Sequence, residues 1–227
     1  MKDFGNTSRT GKFHWLGLLL IALMISTSIA SAEKADDESA FWLFPPSLAS
    51  LKRQIDNQIQ RENFETVVEL STRAIKANPK YAVFYAKRAE AYVMLSKNDL
   101  AIADLTEAIR LQPRIGFPLI ARGRIYDNQG KDDLALADYN HGIALGNWTG
   151  YKDQARILER KGQYDKAVVS LTKVLIKVQP LERIPFLFQR AKNYEKLGKK
   201  DLAKADKKLA EDLLNKSGGQ NADRYTR

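Results

Sequence analysis

Small and aromatic residues recur at helical spacing through the middle of the chain. Tyr85, Ala89 and Tyr92 stand at positions i, i+4 and i+7, so they share one face of a helix. Asn98 and the acid after it commonly open a helix, and a second apolar face follows them. That face is formed by Ala101, Leu105, Ala108 and Ile109. Because neither helix can bury its apolar face alone, the pattern predicts helices that stack in pairs.

The same pair of helices is repeated along the chain. Ala101 and Ala135 occupy equivalent places, and the interval between them is the same as the interval from Pro79 to Pro113. A fixed period of this length is typical of repeat proteins, in which each unit contacts its neighbours. The pattern therefore predicts a stack of units between positions 48 and 214.

The fourth repeat departs from the fixed period. Its central residue, Ala167, follows Ala135 after an interval that is two residues too short, and the interval from Ala167 to Ala203 is two residues too long. Since the two deviations cancel, we expect a first helix that ends about two residues early, at Arg160-Lys161. The connection around 179–182 is then longer by the same amount, and a local kink in the stack is expected there.

These residues resemble the tetratricopeptide repeat, or TPR, whose pattern joins a small residue, an aromatic, a central alanine and a closing proline. In the second unit the matching residues are Ala89, Tyr92, Ala101, Ala108 and Pro113. The match is weakest in the first unit, where Gln58 replaces the aromatic and Val67 the central alanine. The resemblance implies an all-α fold, a right-handed superhelical solenoid of about five helix-turn-helix units. These units are 48–81, 82–115, 116–149, 150–183 and 184–214.

The N-terminal segment 1–32 has the composition of a secretory signal peptide. Basic residues come first, then an apolar stretch from Leu16 to Ile29, then Ala30-Ser31-Ala32 where signal peptidase would cleave. The alternative is an uncleaved membrane anchor, but the apolar stretch is shorter than the roughly 20 residues that a membrane-spanning helix needs. We expect cleavage after Ala32 and, since the chain has no Cys, export to a bacterial periplasm.

Two further segments flank the predicted units. Residues 33–47 are interpreted as a linker with an apolar N-terminal cap, in which Phe41 to Phe44 precede Pro45-Pro46. Either these apolar residues cover the open end of the first unit, or they dock a partner. Residues 215–227 lack an apolar period and contain Gly218-Gly219, so we expect a disordered tail.

The composition excludes several kinds of chemistry. Without Cys there is no disulfide framework or thiolate metal site, and His14 and His141 cannot form a histidine metal cluster. The sequence has no glycine-rich phosphate loop, and it indicates no cofactor. A hydrolase would have to use His141, which we interpret instead as an exposed helix residue. We therefore expect a binding protein without catalytic residues rather than an enzyme.

In TPR proteins the first helix of each pair lines a concave groove, and the resemblance implies the same here. The residue two places before the aromatic changes from acidic to basic along the units: Asp56, Glu90, Arg124, Arg156 and Lys192. We predict that Arg124, Lys152, Arg156 and Lys192 bind an extended peptide through its acidic segment or C-terminal carboxylate. The alternative is ion pairs within single helices: Arg124 with Asp127, Arg156 with Glu159, and Lys192 with Glu195.

Arginine and aspartate are present together or absent together at two positions of the repeat. Units two, three and five carry Arg four residues before the aromatic and carry Asp at one constant separation after that Arg, whereas units one and four have neither. This correlation predicts a salt bridge between the two helices of each such unit, because a guanidinium can hold a carboxylate bidentately. The pairs are Arg88–Asp104, Arg122–Asp138 and Arg190–Asp206. The alternative is shared descent, in which duplicated units carry both residues without contact.

The sequence as a whole predicts an exported TPR scaffold that binds another protein or an extended peptide in its groove. One alternative is an envelope adaptor for a cell-wall or membrane-associated enzyme, and another is the hydrolase using His141. The net charge of +10 suits acidic partners. We expect no nucleic acid, because the chain is predicted to be exported and its lysines are scattered. Membrane contact is expected only through an uncleaved signal or weakly through the basic face of the last helix.

Overall fold

Paired helices are present throughout the region where the apolar pattern predicts them. The structure, a computed structural model, describes residues 46–216. These residues form ten α-helices and no strand. The first helices of the pairs are α1 (Pro46–Gln60), α3 (Ala82–Met94), α5 (Gly116–Asn128), α7 (Gly150–Arg160) and α9 (Arg183–Lys196). The second helices are α2 (Phe64–Ala77), α4 (Asn98–Leu111), α6 (Asp132–Ala144), α8 (Tyr164–Lys177) and α10 (Lys200–Lys216).

Each helix packs against the next one from α1 to α10, as in a solenoid of stacked helix pairs. The alanines that define the repeat are at most 3% exposed: Ala101, Ala135, Ala167 and Ala203. Buried clusters join neighbouring units, since Ile125 of α5 packs with Leu105 of α4 and Ile157 of α7 packs with Tyr139 of α6. The predicted all-α solenoid of helix pairs is confirmed.

The turn between the two helices has the same backbone in all five described units. One residue in each turn adopts a left-handed conformation, with φ between 58° and 73°: Glu62, Ser96, Gly130, Gly162 and Gly198. The amide after it donates back to the last turn of the first helix, as Lys97 N does to the Tyr92 carbonyl at 2.8 Å. Glycine adopts this conformation at little steric cost, which explains its place in the turns of units three to five.

The fourth unit has part of the irregularity that its spacing predicts. Helix α7 ends at Arg160 after 11 residues, whereas α5 has 13. The connection from α8 to α9 takes five residues, 178–182, compared with four in 112–115 between α4 and α5, so it is longer by one residue and not by the two expected. A kink of the stack at this point stays a prediction.

The helical region is longer than predicted at both ends. Helix α1 begins at Pro46 rather than Leu48, because proline is tolerated in the first turn, where a backbone N–H has no helical acceptor. Helix α10 continues to Lys216, two residues into the predicted tail, and a lysine in the last turn interacts favourably with the helix dipole. The predicted signal peptide, the Phe41–Phe44 segment and the rest of the tail lie outside the described residues.

Candidate functional site

Arginines and aspartates connect the first helices of units three and four. Arg124 of α5 donates from Nε to Asp153 Oδ2 of α7 at 2.7 Å, and Arg156 of α7 donates to Asp127 of α5. The aspartate side chains are buried, with 5% and 3% of their surface exposed, while the arginines are about half exposed. Two buried carboxylates thus hold two solvent-exposed guanidinium groups in place.

Asp127 forms its ion pairs with the next unit and not within its own helix. Besides Arg156 it accepts from Arg160 at 2.7 Å, and Arg160 also donates to Asp132 at 2.5 Å. The hydrogen bond from Arg160 holds the pKa of Asp132 below its usual range. The alternative pairing of Arg124 with Asp127 is therefore wrong, because stacking brings the adjacent first helix as close as the next turn of the same helix.

The other two acids of the alternative pairings, Glu159 and Glu195, also bind residues of other helices. Glu159 of α7 accepts hydrogen bonds from Gln189 at 3.0 Å and from Asn193, both on α9. Glu195 of α9 pairs with Lys207 of α10 at 2.7 Å. Neither acid makes the i, i+3 ion pair that the sequence offered as an alternative, so the cations of units four and five are not neutralised in that way.

Cationic residues of α7 and α9 meet in one depression of about 430 Å³, here called the basic pocket. It is lined by Arg156, Glu159, Arg160, Tyr164, Lys192, Asn193 and Lys196. Lys192 and Lys196 lie one helical turn apart, and neither makes an ion pair with a described residue. Two ammonium charges in this pocket are therefore available to a ligand.

The structure brings two of the four predicted groove residues together. Arg156 and Lys192 line the basic pocket, whereas Arg124 and Lys152, the latter near the start of α7, do not line it. Lys196 was missed, although its position one helical turn after Lys192 is a signal that the sequence contains. The four predicted groove residues therefore do not form one site. The basic pocket contains two of them and lies nearer unit five than expected.

The predicted acidic end of the groove is partly neutralised. Asp56 of α1 pairs with Lys52 at 2.6 Å and with Lys87 of α3 at 3.3 Å. Lys87 also lies 3.6 Å from Glu90. The lysines of the basic pocket therefore account for most of the difference in charge between the two ends of the predicted groove.

The three predicted ion pairs between paired helices are present, and their geometry is nearly identical. They are Arg88–Asp104, Arg122–Asp138 and Arg190–Asp206, each with two hydrogen bonds of 2.7–2.8 Å. Each arginine, 17–19% exposed, also donates to a threonine of the preceding unit. These acceptors are Thr72, Thr106 and Thr172, at 2.8–3.0 Å. We call each set of Arg, Asp and Thr an arginine clasp; it joins three helices.

Unit four carries an uncharged version of the clasp. Gln154 of α7 donates to Asn140 of α6 at 2.6 Å and accepts from the Ser170 hydroxyl of α8 at 2.5 Å. These three residues stand at the Arg, Thr and Asp positions of the other units. Sequence reasoning noted the missing charges but not the hydrogen bonds, and it missed the threonines, which lie two residues after each aspartate position.

The remaining observations concern His141, metal binding and membrane spanning within residues 46–216. His141 is exposed on α6. Within residues 46–216, no three His, Cys, Asp or Glu side chains are grouped so as to hold a metal ion. In the same part of the chain, every helix is too short or too polar to cross a membrane.

Comparison with known proteins defines the fold. No protein-family model and no curated protein matches the chain. A crystal structure of MamA is similar, with a TM-score of 0.65 at 19% identity over 73% of this chain and 96% of MamA. MamA from Desulfovibrio magneticus RS-1 gives a TM-score of 0.64 at 12% identity, over 77% and 98%. YrrB, described as a TPR protein with an unusual peptide-binding site, gives 0.59 at 14% identity, over 83% and 92%. The chain has the TPR fold.

Proposed function

We propose that the chain is a scaffold protein that binds an acidic segment of another protein, with the basic pocket as the main contact. The observation that carries the proposal is the pair Lys192 and Lys196, which line the pocket without a described carboxylate partner. Cations gathered in a depression attract carboxylates and form charge-assisted hydrogen bonds with them. The ligand class is a peptide with neighbouring Asp or Glu residues, or with a free C-terminal carboxylate.

The arginines of the basic pocket are positioned before a ligand arrives. Arg156 and Arg160 both donate to Asp127, whose side chain is only 3% exposed. A guanidinium has five N–H donors, so the groups not bound to aspartate remain for a ligand. Because these side chains are already ordered, binding a peptide costs less conformational entropy.

The fold and the N-terminal sequence support the rest of the proposal. YrrB, whose fold is similar, is described as having an unusual peptide-binding site. Segment 1–32 has the sequence of a secretory signal, so we propose that the scaffold is exported and acts in a bacterial periplasm.

Charge reversal at the two lysines tests the binding site. Fluorescein-labelled hexaglutamate, titrated with the full chain and followed by fluorescence anisotropy, is the probe. We expect K192E/K196E to weaken binding by about tenfold or more, and added salt to weaken wild-type binding. The lysines suit this test better than Arg124 or Arg156, because replacing either arginine would also remove an ion-pair partner from a buried aspartate.

The matched control is K204E/K208E on α10. These lysines are exposed, also one helical turn apart, and make no ion pair with a described residue. Both variants change the net charge equally, so the control should bind within about twofold of wild type if the pocket is specific. An equal loss in both variants, or no binding by the wild type, would contradict the proposal.

A further inference from the structure

In the charged units, the clasp arginine fills a defined place between helices. Arg88 hydrogen-bonds to Thr72 and Asp104, and its guanidinium carbon lies 5.8 Å from the Tyr85 ring centre and 5.9 Å from that of Tyr92. Four side chains therefore surround the charged end of the arginine.

In unit four the same four positions surround a space. Tyr151, Leu158, Ser170 and Asn140 are the equivalents of the residues around Arg88, and all four line a cavity of about 470 Å³ together with Gln154. Glutamine is shorter than arginine, and its amide is held by Asn140 and Ser170. The place of the guanidinium is therefore open. We call this cavity the unit-four pocket.

The lining of the unit-four pocket suits an uncharged, largely apolar group. Leu136 and Val169 complete its apolar side, and the hydrogen-bonding groups beside Gln154 are amides and hydroxyls. The clasp aspartate is replaced by Ser170, so a cation finds no carboxylate there, and Lys166 is the one charged residue of the lining. The volume is within the range of about 300–1,000 Å³ that is usual for ligand pockets.

We infer that the unit-four pocket receives an uncharged apolar side chain, of the size of leucine or isoleucine, from a segment of a partner protein. Val169 at its edge is 59% exposed and Ile176 is 68% exposed, the highest values among the large apolar residues described. They lie seven residues apart on α8 and so share one face. A protein segment anchored in the pocket would cover both, whereas a small molecule would leave Ile176 in water.

This site is separate from the basic pocket and goes beyond the proposed function. Gln154 and Arg156 are two residues apart on α7, which places them about 200° apart around the helix axis. The unit-four pocket is lined by residues of α6, α7 and α8 and the turn before α8, whereas α7 and α9 supply most of the basic pocket. A neutral probe therefore tests the unit-four pocket without depending on the basic pocket.

The probe is N-acetyl-leucine N-methylamide, titrated into the full chain with labelled methyl groups and followed by NMR. We expect saturable shifts of the Leu136, Leu158 and Val169 methyl signals, with a Kd of about millimolar that is unchanged by salt. The glutamate analogue of the probe should not shift these methyl signals. Absence of saturable shifts with the leucine probe would overturn the inference.

A variant that rebuilds the charged clasp provides the specific control. N140T/Q154R/S170D places in unit four the Thr, Arg and Asp found in its neighbours, so the guanidinium should fill the pocket without unfolding the chain. We expect a circular-dichroism melting profile like that of wild type and loss of the probe shifts. Retention of the shifts would overturn the inference. If this variant does not fold, V169K, at an exposed position, should weaken binding of the probe at least fivefold. An unchanged affinity for the probe would also overturn the inference.

Crosslinking distinguishes a protein partner from a small ligand. A photoreactive amino acid at position 176, in the full chain in cells, should give a protein adduct that disappears when the pocket is filled by N140T/Q154R/S170D, or is occluded by V169K. No adduct, or an adduct that persists in the filled or occluded chain, would show that the pocket does not anchor a protein.

Discussion

At the residue scale, the buried charged side chains of residues 46–216 are aspartates that arginines bind. Each clasp arginine is bound bidentately by an aspartate that is 9% exposed and is completed by a threonine of the preceding unit. Removing one partner of such a pair leaves a charge in a poorly hydrated place, which costs more than the pair itself contributes. The uncharged contacts of unit four carry no such penalty.

This difference can be measured by comparing Asp104→Ala with Ser170→Ala. We expect the first to lower the free energy of unfolding by about 3 kcal/mol, because Arg88 loses its carboxylate. The second removes only the neutral hydrogen bonds of the Ser170 hydroxyl, to Gln154 and to the Lys166 carbonyl, and should cost about 1 kcal/mol. Urea denaturation of the purified chain measures both. Equal losses in the two variants would mean that the clasp charges are as well hydrated as surface groups.

At the element scale, a small residue on the first helix of a unit packs against a larger residue on the second helix. In unit two, Ala89 of α3 is paired with Leu105 of α4, and the equivalent residues of unit three are Gly123 and Tyr139. A Cβ on Gly123 would lie 2.7 Å from the Tyr139 ring, which is fully buried and cannot move aside. The larger tyrosine thus requires glycine where the smaller leucine permits alanine.

We therefore expect Gly123→Ala to destabilise the chain by about 1–3 kcal/mol through overpacking. The double variant G123A/Y139L reproduces the pair of unit two and should recover most of that loss. The Tyr139 hydroxyl makes no hydrogen bond to a described residue, so its removal leaves no described partner unsatisfied. Thermal or urea denaturation distinguishes the outcomes. A double variant no more stable than G123A alone would rule out complementarity as the reason for the glycine.

At the scale of the whole molecule, neighbouring units share their stabilising contacts. The clasps reach back to the preceding unit, and aspartates of units three and four exchange ion pairs between α5 and α7. Stability in such a stack depends on interfaces as much as on single units. The basic pocket belongs to this scale as well, since α7 supplies its arginines and α9 its lysines.

The proposed export also belongs to the scale of the whole molecule. We expect the mature chain to begin at Glu33, because signal peptidase requires small residues at Ala30 and Ala32. N-terminal sequencing of the protein from the periplasm of an expressing bacterium measures this. A30R/A32R should keep the full-length precursor in the membrane fraction. Intact Met1 in membrane-bound wild-type protein would support the uncleaved anchor instead.

The sequence by itself determined whatever depends on separation along the chain. The helix pairs, the early end of α7 and the bidentate Arg–Asp pairs all follow from apolar period or from residues that change together within one unit. Such features are local, since both partners lie in one helix or in two helices joined by a short turn.

Only the tertiary structure decided which contacts and cavities form between adjacent units. The partner of Asp127, the threonines of the clasps and the cavity beside Gln154 depend on how closely the units stack. Spacing does not contain that distance: a carboxylate three residues away and one in the next helix are equally close to an arginine. Arg124 therefore binds Asp153 of the next first helix, and Asp127 binds Arg156 and Arg160, because the stack brings these groups together.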